Sequence, residues 1–99
     1  MIIPKKIKIG KTKYDVRWFK QILKGSKVVR GVVEYDLNKI SLAKTDGQHS
    51  YTSKEKEETF WHEVTHAILK DMSHELYDNE QFVVSFSQRL NDAIRSAKF

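Results

Sequence analysis

Hydrophobic residues follow two different rhythms in this chain, and the change comes near residue 50. In the first half they alternate with polar ones. Ile7 and Ile9 are interleaved with lysines, and after Gly10-Lys11 the residues Tyr14, Val16 and Trp18 are interleaved with Asp15 and Arg17, a pattern that predicts a hairpin. A second strand pair is expected from Val29 to Tyr35 and around Ile40 and Leu42, with Asp36-Leu37-Asn38-Lys39 as its turn. Residues 20–27, KQILKGSK, read as a connector containing Gly25, and residues 45–51, TDGQHSY, as a loop.

Beyond that loop the spacing becomes helical. Thr52 and Ser53 are both N-cap residues by type, and Thr52 with Glu55 makes a capping box. Glu55, Glu57 and Glu58 then occupy the early turns, where the helix dipole favours negative charge. This helix is expected to run to about Met72 or Ser73. The connector HELYDN leads to a second helix, in which Val83, Phe86, Leu90, Ala93/Ile94 and Ala97 recur at helical spacing and are expected to face the core. No repeat, low-complexity run or flexible linker interrupts the pattern. The expectation is one α+β domain over residues 1–99, an antiparallel or mixed sheet of three to four strands followed by two packed helices.

Composition narrows this picture in two ways. With 99 residues and no cysteine, the chain has neither disulfides nor thiolate metal ligands, which suits a reducing, cytoplasmic setting. The start, MIIPKKIKIG, lacks the apolar run of a signal peptide, and no stretch approaches membrane-spanning length, so no membrane partner is expected. The net charge of +5 is unevenly spread: residues 1–30 hold ten Lys/Arg and one acid, Asp15, whereas residues 31–99 hold eight Lys/Arg and twelve acids. A basic segment of this kind can bind nucleic acid, or its lysines can simply decorate an open sheet and keep its edges from pairing.

The chemistry is concentrated in FWHEVTHAIL, residues 60–69. On a helix, positions i and i+4 share a face, so His62 and His66 can aim two imidazole nitrogens at one point, as a tetrahedral zinc ion requires. Glu63 follows His62 by about 100° around the axis. From there its carboxylate can take a proton from a water molecule without itself ligating the metal, which is the physical content of H-E-x-x-H. The alternative is a pair of incidental histidines on an amphipathic helix. A capped helix around the motif favours the zinc reading.

A catalytic zinc takes three protein ligands and keeps one position open. The extended H-E-x-x-H-x-x-G-x-x-H pattern fails, because Leu69 stands at the Gly position and Met72 at the last His. The remaining candidates are Asp71, His74, Glu75, Asp78 and Glu80. Asp71 and Glu75 are turned off the face of the histidine pair. Glu80 opens a helix that a short connector folds back against the first, which carries its carboxylate towards the histidines. Helix-dipole stabilisation is its other reading, and His74 is the next candidate as ligand. Tyr51, Tyr77 and His74 are candidate donors to a developing oxyanion.

The segments TFWHEVTHAILKDM and NEQFVVSFSQRL, with the GVVEYD…KISLA hairpin before them, resemble the compact HExxH domains of the ImmA/IrrE family, including small versions encoded by phages and mobile elements. The resemblance covers residues 31–99. It implies a gluzincin-like fold, zinc bound by His62, His66 and Glu80, Glu63 as catalytic base, and hydrolysis of a protein or peptide substrate. Larger members cut transcriptional repressors. A domain of this fold can also serve as a binding protein that captures a partner without turnover.

Overall fold

The computed structural model describes residues 2–99. Six strands, β1 (Lys6–Ile9), β2 (Thr12–Phe19), β3 (Ile22–Lys24), β4 (Lys27–Val29), β5 (Gly31–Glu34) and β6 (Lys39–Ala43), precede two helices, α1 (Ser53–Asp71) and α2 (Glu80–Ser96). The expected α+β layout is present, with strands first and helices last. Four strands form a mixed sheet in the order β1-β2-β6-β5, in which β2 and β6 run parallel and the outer pairs antiparallel.

The supposed connector at residues 20–27 is in fact most of a second, two-stranded sheet, β3 with β4. Its strands are only three residues long and carry lysines at the turn, so no alternation marks them. Gly25 makes the reversal at φ 65°, a backbone state that two-residue hairpin turns require and that side chains resist.

Alternation in β1, β2 and β6 sends one set of side chains to a single face. Ile9, Tyr14, Val16, Ile40 and Leu42 meet Phe60, Val64 and Ala67 of α1 there, and Phe60 and Ile40 are completely shielded from solvent. α1 begins as expected: the Thr52 hydroxyl accepts from the Glu55 N–H while the Glu55 carboxylate accepts from the Thr52 N–H. It stops at Asp71, and Ser73 takes a left-handed φ of 52° as the chain turns away.

α2 forms a third layer whose main partner is α1. Its orientation overturns one expectation. The buried positions are Val83, Ser87 and Asn91, whereas Phe86 is 48% exposed and Ala93 and Ala97 are also exposed. Of the expected stripe, only Val83 is fully buried. The reason is geometric: residues 80, 83, 87 and 91 share a face, so turning Glu80 towards α1 commits that seam to the interface. Phe82 and Phe86 are left stacked on each other, 5.8 Å apart, along a different side. Arg95 ties the far end of the pair by donating to the buried Glu57 carboxylate at 2.6 Å.

The seam also buries Asn91 completely, with neither its amide nitrogen nor its oxygen bonded to another described group. An unsatisfied buried amide costs about 1–3 kcal/mol, and leucine has the same branched skeleton in a larger volume, which takes back part of the gain. Asn91→Leu is therefore expected to raise stability by about 1 kcal/mol, seen as a higher denaturation midpoint with an unchanged slope. A lower midpoint would mean that Asn91 makes a favourable polar contact after all.

Candidate metal centre

α1 places His62 and His66 one turn apart, with their Nε2 atoms 3.2 Å from each other. Asn79 caps α2 by accepting from the Phe82 N–H, which makes Glu80 the first helical residue. From that position the two carboxylate oxygens divide between the histidines. Oε1 lies 2.6 Å from His66 Nε2, and Oε2 lies 3.1 Å from His62 Nε2. The three side chains thus offer donor atoms within 4.8 Å of one another. Among the described residues they are the group that could hold a metal ion.

The protonation pattern tests that fit. His66 Nδ1 lies 2.5 Å from the Tyr77 backbone carbonyl, which can only accept, so Nδ1 carries the hydrogen and donates it. In the neutral ring, Nε2 then presents a lone pair to the Glu80 carboxylate. Two acceptors this close repel unless a positive centre lies between them, either a proton on Nε2 or a cation. The donor set of two imidazole nitrogens and a carboxylate oxygen suits zinc, and two of the three separations are close to the edge of a zinc tetrahedron, about 3.4 Å for bonds of ~2.1 Å. The Tyr77 carbonyl is the kind of partner that fixes the orientation of a ligating histidine. Burial, aided by the neighbouring His66, holds His62 below the usual histidine range against the pull of Glu80. That favours the neutral, ligating form.

Glu63 is 6% exposed and lies on the sheet side of the same turn. Burial pushes its carboxyl up to about 7, Glu80 adds to this, and His66, Lys24 and the Val33 N–H oppose it. A cation held next to it draws the group back towards ionisation. β5 approaches closely here. A Cβ on Gly31 would fall 2.7 Å from the Thr59 methyl and 3.4 Å from Glu63 Cγ, so glycine is what lets the strand lie against α1.

An open trough passes the three donors on both sides. One arm, of about 420 Å³, is lined by Val28, Val29, Glu58 and Val84, and the other, of about 440 Å³, by Lys24, Val33, Tyr35, Tyr77 and Asp78. Lys27, Val29, Gly31, His62, Glu63 and Glu80 border both. β5 forms the edge of the sheet beside this trough. Because Ala43 N–H donates to the Arg30 carbonyl, antiparallel alternation directs the N–H and C=O of Gly31 and Val33 to the unpaired edge.

The other candidates do not join the donor group. Asp71 packs under Gly10 at the β1–β2 turn. His74 Nδ1 accepts from the Leu76 N–H and, with Glu75, lines a separate depression. Asp78 borders the trough but is outside the donor trio. Of the oxyanion candidates, Tyr77 lines the trough, whereas Tyr51 sits beneath Arg30 and borders neither arm. Tyr35, which the alternation marked only as a strand residue, also lines it. Burial, with smaller contributions from Tyr14, Glu63, Tyr77 and Asp78, pushes the Tyr35 hydroxyl up to about 12, so it keeps its proton and can donate.

Fold and site together define an α+β domain with a His₂Glu group able to take a metal ion. Comparison with protein-family models, with curated proteins and with solved structures finds no match. No helix among the described residues is long and apolar enough to cross a membrane.

Proposed function

We propose that this protein is a zinc-dependent endopeptidase that acts on a specific protein or peptide, with Glu63 as its general base. The observation that carries this reading is the buried Glu63 carboxyl beside a convergent His62–His66–Glu80 trio, all four facing one open trough. Bound to the trio, zinc supplies Lewis acidity that polarises a carbonyl and acidifies water.

The chain's own groups supply the rest. The edge-facing N–H and C=O of Gly31 and the C=O of Val33 accept an extended peptide as an added strand, which fixes its register along the trough. The Val33 N–H stays on the Glu63 carboxylate. Glu63 takes a proton from the water whose oxygen bonds to the carbonyl carbon and delivers it to the amine that departs as the C–N bond breaks. A cation in the trio favours the ionised, proton-accepting form of Glu63, while burial of the carboxyl favours the protonated form needed for the second half of the transfer. Tyr35 or Tyr77 donates to the carbonyl oxygen as charge develops on it. The trough is open and not enclosed, so a structured partner, rather than any short peptide, is the expected substrate.

Protein purified without added metal should carry about one equivalent of zinc per chain, and cleavage within a peptide library should vanish on chelation and return with zinc. Metal content well below one equivalent, with no gain on titration, would sink the proposal.

A further inference from the structure

The sheet has a second face, turned away from α1, and its chemistry is unrelated to the trough. Alternation that buries Ile7, Ile9, Tyr14, Val16 and Ile40 directs Lys6, Lys8, Lys13, Arg17 and Lys39 to this outer side. Lys6, Lys8, Lys13 and Arg17 are exposed. Asp15 and Glu34 are the carboxylates interleaved with them, and Asp15 stands opposite both Lys6 and Lys39 while pairing with Arg17 at 3.6 Å. The face keeps a clear positive excess.

One pair is costly to the fold. Lys8 and Lys13 stand directly across β1 and β2. Val16 N–H donates to the Lys5 carbonyl, so the alternation makes Lys8–Lys13 a non-hydrogen-bonded pair, the kind that brings side chains closest. Like charges set opposite in this way destabilise a sheet. Guarding a sheet edge does not account for this pair, since a single lysine on β1 would serve that purpose.

We propose that this outer face docks on the phosphate backbone of duplex DNA. Charge complementarity selects a polyanion, and the composition of the face selects which kind. A protein partner needs a buried aromatic or apolar anchor, and lysine is depleted from such interfaces, whereas lysine and arginine are the usual phosphate contacts. Single strands are held by stacking on successive aromatic platforms, but Tyr14 and Trp18 point to the opposite side, into or against the core. Phe19, exposed on this face, stands alone at the far end of β2 from Lys13. No base-reading element is present on the face, so binding is independent of sequence. Glu55, Glu58, Glu80 and Asp92 of the helices lie on the other side of the sheet, which orients the domain with its trough away from the DNA.

The test is fluorescence anisotropy with a labelled mixed-sequence duplex of about 24 base pairs and the full chain, repeated across a salt series. Neutralising about four phosphates predicts a slope of log affinity against log salt near −3.6, or roughly a 100-fold loss between 50 and 200 mM salt. Lys8→Thr/Lys13→Thr should lower the affinity about tenfold and flatten the slope by about 1.8, while raising the melting temperature because the repulsion is gone. Lys54→Thr on the helical side is the control and should leave both unchanged. Absence of salt-dependent binding, equal losses in the control, or tighter binding to polyglutamate of matched charge or to a single strand would each overturn the proposal.

Discussion

Glu63→Gln is expected to lower peptide hydrolysis by about 10²- to 10⁴-fold, the contribution usual for a positioned general base, while the zinc content stays at the parent level. Glutamine keeps the shape of the side chain and its buried packing, but it cannot accept a proton. Because Glu63 lies outside the donor trio, metal retention is the control that the fold and site survive. In free-energy terms the loss corresponds to roughly 3–5 kcal/mol of transition-state stabilisation. The measurement also separates an enzyme from a binding protein of the same fold. If a partner is captured equally well by both forms, and neither cleaves it, Glu63 is only a packed side chain.

The second large effect belongs to Glu80. Removing its carboxylate in Glu80→Ala leaves two imidazoles, and zinc affinity is expected to drop by more than about 100-fold, since loss of even an outer supporting group costs 10- to 100-fold. Protein with zinc at a thousand times its dissociation constant gains about 4 kcal/mol of stability from the ion, and the variant should lose most of that gain. The helix-dipole role of a glutamate at the start of α2 predicts something different. It is worth about 0.3–1 kcal/mol and is the same with or without zinc. Denaturation of parent and variant, each with and without zinc, therefore distinguishes ligand from dipole: a deficit that ignores the ion would remove Glu80 from the site.

The centre was largely legible because side-chain chemistry writes itself into the sequence. The spacing of His62, Glu63 and His66 needs only a helix to become a geometry, and Thr52 with Glu55 announces that helix. Glu80 was reachable because a short connector and a helix start leave little freedom in where its carboxylate can go. The partner of His66 Nδ1 was not legible, since Tyr77 contributes a backbone carbonyl and every residue has one. Gly31 and Tyr35 were hidden for a related reason: their importance comes from how closely β5 approaches α1. The β3–β4 hairpin escaped because three-residue strands are too short to show a period. Helical periodicity picked out Val83, Phe86 and Leu90 as core-facing, yet of these only Val83 is buried, because the contact seam follows Glu80 and takes in Ser87 and Asn91.

That choice of seam has a wider meaning for the domain. Phe82, Phe86 and Leu90 lie one residue, about 100° of rotation, from Val83, Ser87 and Asn91. A helix optimised for adhesion alone would roll by that amount and close on its aromatic stripe, as a zip does. Here it is fastened instead by a clasp near one end, Glu80 over the two histidines, and by the Arg95–Glu57 pair at the other. A structure fastened in this way spends its surface grease outward and keeps its orientation through a few polar contacts. Its second helix is therefore held at an angle set by polar contacts at its two ends and not by its aromatic stripe.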